Sequence, residues 1–371
     1  MARILILGSL AESLVIFRRC LLEKMIVDGH QVFACAPNAS IEVREQLSKM
    51  RVTYCDVNLQ RTGINPFSDF VTLYKLIQLF KKVKPDIFLG YTIKPVIYGS
   101  LMARFCGVPK IYSMIEGVGY AFLGTGLKSK IIGVIASNLF RFALRFNEKV
   151  FFLNPDNLEM FLSKHLLRDE QAVILNGIGV DLDKFNVAPY PKSVSFLLVA
   201  RLLRDKGVCE YADAARIIKQ KYPQVKFRLV GFIDAGNPAT ISEEELDSWI
   251  NSGVIDYLGR LSDVRPAITE SSVYVLPSYH EGMPVTVMEA MAMGRPIITT
   301  DVPGCRETVR NGENGFLVPV RDVPSLVQAI ESFIKYPSNI ESMGKESRQI
   351  AVKKYDVHKI NVQIMRTMDL V

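Results

Sequence analysis

The stretch PSYHEGMPVTVMEAMAMGRPIITTDVPGCRETV (277–309) decides the reading of the fold. An apolar run ends at Pro277 and a polar loop follows. Pro284 stands where a helix opens, helix formers continue to Met293, and Gly294 supplies the stop before the next apolar run. A strand, a loop and a helix in that order turn the helix N-terminus toward the strand ends. The first backbone N–H groups, from Gly282 to Val285, then form a place for phosphate or oxygen-rich groups. Glu281 stands just before this helix and Glu289 lies inside it. Two carboxylates beside an anion site suit a ligand with sugar hydroxyls next to a phosphate. The alternative is a capping Glu281 and a solvated Glu289.

Working outward, short apolar runs alternate with helical patterns along the whole chain. RILILG (3–8), HQVFACAP (30–37), PDIFLGYT (85–92), KIYSMIEG (110–117), KVFFLN (149–154) and AVILNG (172–177) form a first set. SFLLVAR (195–201), KFRLVGF (226–232), IDYLG (255–259), VYVLPS (273–278), PIITTD (296–301) and GFLVP (315–319) form a second. Runs that are apolar throughout, not alternating, suit strands of a parallel sheet buried on both faces. The two sets predict two doubly wound α/β domains facing across a cleft, with ligands at the carboxyl ends of the strands. VDLDKFNVAPYPKS (180–193) reads as the linker. The expected domains are 1–185, 186–350 and a C-terminal helix, 351–371, packing back on the first domain.

The length of 371 residues agrees with two domains. Charge is placed unevenly. Residues 1–185 hold 23 basic and 16 acidic residues, whereas 186–371 hold 22 of each, and 51–150 alone hold 14 basic against 5 acidic. This asymmetry asks for an anionic partner: nucleic acid, a membrane surface or a phosphorylated ligand. Cys20, Cys35, Cys55, Cys106, Cys209 and Cys305 show no CxxC pair and no metal-ligand spacing, and read as buried free thiols of a reduced cytosolic protein. No stretch reaches about 18 uninterrupted apolar residues, so no spanning helix is expected.

A second constellation is VARLLRDKGV (199–208). Arg201 directly follows a buried strand and Lys206 comes five residues later, before a helical run. Two cations at a strand end suit a diphosphate; two solvated surface cations are the alternative.

With YLGR (257–260) and NGENGFLVP (311–319), these segments resemble the family 4 retaining glycosyltransferases of the GT-B fold. The likeness is strongest over 195–320, where Glu281 and Glu289 occur with Arg201 and Lys206 in the expected order. NGIGVDLDKF (176–185) resembles the approach to the second domain of that family. YTIKPVIYGS (91–100), EGVGYAFLG (116–124) and FLNPDN (152–157) resemble bacterial members that extend undecaprenyl-diphosphate-linked saccharides of O-antigen, capsule or N-glycans. The resemblance implies a UDP-sugar donor, UDP-N-acetylhexosamine foremost, with no cofactor and no metal. It makes Arg201 and Lys206 the ligands of the donor diphosphate, Glu289 the acceptor of the ribose hydroxyls, and Glu281 the catalytic carboxylate holding the donor sugar. Gly282, Met283, Pro284 and Val285 would supply backbone donors, Gly231 would line the donor site, and Leu258 and Gly259 would face the base. Retention would follow from same-face attack, with a donor phosphate oxygen taking the acceptor proton.

Many members of that family carry a histidine in the first domain near the donor sugar. His30, His165, His280 and His358 do not fit that place, and Lys94 or Glu116 is expected there instead. Arg18 and Arg19 would meet an acceptor diphosphate, and Tyr120 and Phe122 would lie on an aromatic loop contacting sugar or lipid. KKVKP (81–85), Lys128, Lys130, Arg141, Arg145 and Lys149 bracket GLKSKIIGVIASNLFRFALRF (126–146). A cation-flanked amphipathic helix there would lie on an anionic leaflet, each basic residue contributing about 1 kcal/mol. The expected partner is therefore a polyprenyl-diphosphate-linked acceptor, met by a cytoplasmic protein peripheral to the inner face of the cell membrane. A core helix with a solvated basic face is the alternative, as is a glycosyltransferase with a soluble acceptor. Nucleic-acid binding by the basic half lacks any recognised reading motif. A dehydrogenase is disfavoured because GIG (177–179) and GVG (117–119) lack the third glycine and the following acid.

Overall fold

A computed structural model describes residues 1–60, 66–117 and 126–371 of the chain. The chain divides into two units. Unit 1 comprises Met1–Ile178 and His358–Val371; unit 2 is Gly179–Val357.

In unit 1 the strands are β1 (Arg3–Leu7), β2 (Gln31–Ala36), β3 (Thr53–Asp56), β4 (Ile87–Tyr91), β5 (Lys110–Ile115), β6 (Lys149–Phe152) and β7 (Ala172–Ile174). They form one parallel sheet of order β3-β2-β1-β4-β5-β6-β7. Central β4 is buried at every residue, as an uninterrupted apolar run requires. β3 was not among the expected strands. It is a four-residue edge strand, TYCD, that buries none of its residues fully, so it carries no apolar run to detect. Leu76 and Phe80 from the helix Pro66–Val83 pack on Phe88 of β4, and Phe140 and Phe161 pack with Phe152 of β6.

The helix Val357–Thr367 carries the chain back into unit 1. Ile360, Ile364, Met365 and Met368 are buried. Gln363 Nε2 donates to the Ile174 carbonyl at 3.0 Å, and Lys110 Nζ pairs with Asp369 at 2.8 Å.

Unit 2 contains β8 (Ser195–Val199), β9 (Lys226–Val230), β10 (Asp256–Tyr257), β11 (Val273–Leu276), β12 (Ile297–Thr300) and β13 (Gly315–Val318). They form a parallel sheet of order β10-β9-β8-β11-β12-β13. β8, β11 and β12 are buried throughout. Both sheets reverse direction beside their first strand, at β1/β4 and at β8/β11, and such switch points leave a crevice at the carboxyl edge.

The segment expected to be a linker is tied into unit 2. Arg295, 1% exposed, donates to the carbonyls of Ala188 (3.0 Å), Pro189 (2.7 Å), Ile268 (3.0 Å) and Thr269 (3.1 Å), and lies over the Tyr190 ring. Burial lowers its guanidinium to about 10. Arg348 Nη1 adds a bond to the Phe185 carbonyl at 3.1 Å. The chain therefore enters unit 2 at Gly179, before the expected boundary at 185.

Candidate active site

At the carboxyl edge of unit 2, the pairing of β8 with β11 brings the two constellations read from the sequence together. The loop after β8 closes in a short turn, Arg204–Lys206, and Gly207 adopts φ +73°. A Cβ on Gly207 would lie 2.1 Å from the Pro277 carbonyl oxygen, so only glycine fits where this loop meets the end of β11. Tyr279 N donates to the Asp205 carbonyl at 2.8 Å, and Ser278 Oγ does so at 3.2 Å. These bonds bring Lys206 to Glu281, with Nζ 2.6 Å from Oε1 and both side chains less than one-fifth exposed. Arg201 Nη1 meets Asp234 Oδ2 at 2.8 Å on the loop after β9, with both side chains about one-third exposed. Each expected diphosphate ligand thus rests on a carboxylate. Asp234 was not among the expected site residues; the only hint in the sequence is its place, four residues past the end of β9.

The helix Val285–Ala292 begins after Pro284, whose extended backbone makes it the N-cap, and ends at Met293 before Gly294 at φ +77°. Val287 N and Met288 N both turn back to the Pro284 carbonyl at 3.2 Å. Pro284 has no N–H, so the expectation of a backbone donor there is corrected: it can set the entry angle of the helix but donate nothing. Thr286 Oγ1, 2.6 Å from the Tyr274 hydroxyl, fixes the first turn to β11.

Glu289, one turn further on, is partly buried. Burial pushes its carboxyl from 4.5 to about 8, with Lys184 lowering it and Asp263 raising it to a smaller degree. Such shifts gather at functional sites, which weighs against a freely solvated helix residue. Gly231 N donates to the Gly259 carbonyl at 2.9 Å, and Leu258 N donates to Leu229 at 2.9 Å, so Gly231, Leu258 and Gly259 share the exits of β9 and β10. Met283 is buried and Gly282 half-buried beside Glu281.

Unit 1 places the other expected residues. Arg18 is 2% exposed and paired with Glu116, which directly follows β5. Lys94 Nζ pairs with Asp69 at 2.7 Å, another partner without a local signature. Arg19 is exposed and bonds Glu23 at 2.9 Å. Tyr120 and Phe122 lie outside the described residues, as do the side chains of Lys128 and Lys130.

The helix Leu127–Leu144 exposes Ile131, Val134, Ile135, Leu139 and Phe142 while burying Phe140, Ala143 and Leu144. Arg145 lies over the rings of Phe142 and Phe146. The helix Pro66–Val83 exposes Phe67, Phe70, Val71 and Tyr74 and ends at exposed Lys81 and Lys82. Arg141 and Lys149 instead donate to carbonyls of Lys164, His165 and Glu170. No helix among the described residues is long and apolar enough to cross a membrane.

Two parallel doubly wound units, each with polar groups at its carboxyl edge, define the GT-B fold. The solved structure of Anabaena HepE, in complex with UDP and glucose, matches all of this chain and all of its own at a TM-score of 0.80 and 18% identity. The sucrose-phosphate synthase of Thermosynechococcus elongatus matches at 0.82 and 18%, over 100% and 98% of the two chains. Residues 193–335 match the model of the glycosyl transferases group 1 and residues 3–154 that of the glycosyl transferase 4-like family. The chain belongs to these family 4 glycosyltransferases and is a glycosyltransferase.

Among curated relatives, the N,N'-diacetylbacillosaminyl-diphospho-undecaprenol alpha-1,3-N-acetylgalactosaminyltransferase of Campylobacter jejuni is 26% identical, over 100% of this chain and 99% of its own. The UDP-Gal:alpha-D-GlcNAc-diphosphoundecaprenol alpha-1,3-galactosyltransferase of Escherichia coli is 28% identical, over 80% and 78%.

Proposed function

We propose that the protein moves an N-acetylhexosamine, with retention and without a metal ion, from its UDP donor to a saccharide on a polyprenyl diphosphate. The observation that carries this reading is the pairing of Lys206 with Glu281 and of Arg201 with Asp234 on loops at the carboxyl edge of one sheet, with Glu289 on the helix that follows β11. The leaving UDP carries its charge away, so it needs fixed cations more than a protonating acid. Lys206 and Arg201 exchange their carboxylate partners for the diphosphate; Glu281 then takes hydroxyls of the donor sugar and Glu289 those of the ribose. Unit 1 takes the acceptor through Glu116 and Lys94. The two relatives named above are, by name, transferases to undecaprenyl-diphosphate saccharides, which supports the acceptor class.

The exposed apolar residues of helices Leu127–Leu144 and Pro66–Val83, with Lys81, Lys82 and the basic balance of 51–150, support peripheral attachment to an anionic leaflet at the cytoplasmic face. The test incubates purified protein with a panel of UDP-sugars and lipid-linked acceptor in the presence of EDTA. UDP release and the anomeric configuration of the product are followed. Absence of UDP release, an inverted product, or full turnover by Glu281→Ala would each defeat the reading.

A further inference from the structure

Arg18 stood in the sequence as a ligand for an acceptor diphosphate, but its surroundings assign it another task. Its side chain is 3% exposed, and among the described residues Glu116 is the only carboxylate paired with it. The guanidinium lies 4.6 Å over the Tyr91 ring and 3.3 Å from Met114 Sδ. The Tyr91 hydroxyl is in turn 2.7 Å from Ser13 Oγ, which donates to the Leu10 carbonyl at 2.5 Å. Gly8, at the end of β1, makes room for this stack, since a Cβ there would lie 2.3 Å from the Tyr91 ring. Arg18 is thus held from below by β1, β4 and β5 and cannot turn to a ligand without breaking that stack.

A buried cation with one carboxylate is a poor device for stability, because desolvation offsets the attraction. It is a good device for fixing a carboxylate. Glu116 keeps about one-quarter of its side chain exposed at the carboxyl edge, one strand from the β1/β4 switch point where doubly wound sheets bind ligands. Beside it Thr92, a β-branched residue, is held at φ +68° with its hydroxyl donating to Ser9 Oγ at 2.9 Å, and strain of this kind gathers at ligand sites. An ionised carboxylate only accepts hydrogen bonds, so its ligand is a donor and not a phosphate.

Resting on the transfer reading above, we propose that Arg18 is a positioning residue. It fixes the Glu116 carboxylate to accept a hydrogen bond from a hydroxyl of the acceptor sugar, and does not itself touch the acceptor diphosphate.

The experiment compares Arg18→Gln, Arg18→Lys, Glu116→Gln and the Arg18→Gln/Glu116→Gln double variant on two probes. One is N-acetylglucosamine on a short polyprenyl diphosphate; the other is octyl N-acetylglucosaminide, which has no diphosphate. Arg18→Gln is expected to lower kcat/KM at least tenfold, by the same factor for both probes. The double variant should be no worse than Glu116→Gln, Arg18→Lys should recover part of the loss, and the KM for the UDP-sugar should stay unchanged. A loss confined to the diphosphate probe, or losses that multiply in the double variant, would overturn the proposal. A weakened UDP-sugar KM in Arg18→Gln would do so as well, since it would show a merely structural role. Failure of the wild type to release UDP with either probe would instead overturn the transfer reading.

Discussion

Replacing Glu289 by glutamine separates a carboxyl kept neutral by burial from one that is simply part of a polar surface. Burial raises this group from 4.5 to about 8. Below pH 4.5 both the folded and the unfolded chain hold the proton, and nothing changes. Between 4.5 and 8 the unfolded chain releases it while the folded chain keeps it, so stability falls as pH rises across that window. Above 8 both forms are ionised and the loss is complete. At about 1.4 kcal/mol per pH unit, the full window corresponds to about 5 kcal/mol as an upper bound. Glu289→Gln cannot titrate, so its stability should not carry this slope.

Trp249 makes the measurement local, because it is the single tryptophan of the chain and is buried in the core of unit 2. Thermal unfolding followed by its fluorescence from pH 5 to 8 should show the wild type losing on the order of 10 °C relative to Glu289→Gln, taking about 2–4 °C per kcal/mol for a unit of this size. Parallel curves would show that the carboxyl is not held neutral.

Arg295→Ala should destabilise unit 2 by about 3–5 kcal/mol, because it strips four carbonyls, those of Ala188 and Ile268 buried, of their donor; the same fluorescence reports it. Gly207→Ala must shift the loop against the Pro277 carbonyl, so it should lower both the melting temperature and the stabilisation conferred by UDP, read by adding UDP to the melts. Arg201→Gln should weaken UDP by about tenfold or more, as expected for a charge-assisted contact of about 1.5–3 kcal/mol, measured by titration calorimetry. Ile135→Asp with Phe142→Asp should abolish flotation with anionic vesicles while leaving turnover of a water-soluble acceptor intact; unchanged flotation would remove these residues from the lipid-facing surface.

The local architecture of the unit 2 candidate site was legible because its signals are local. Strand, loop, proline and helix follow one another within 277–294, and the cations stand next to a strand end. The partners of those cations were not legible. Lys206 and Glu281 are 75 positions apart, and Asp234, the partner of Arg201, carries no motif of its own, as is true of Asp69, the partner of Lys94 in unit 1. Arg18 and Arg19 are neighbours in the sequence and shared one expected role, whereas the connection from β1 to β2 buries the first against Glu116 and leaves the second exposed, a difference that no local pattern announces. β3 escaped because edge pairing needs no apolar run.

The return of residues 358–371 into unit 1 also sets an order of events during synthesis. Unit 2 is one uninterrupted segment and can complete its sheet as soon as Val357 has emerged. Unit 1, though made first, waits for the last helix. Until then the surface that receives Ile360, Ile364, Met365 and Met368 stands bare, and a nascent chain stalled near residue 350 would present it to chaperones. The half made first is the half finished last.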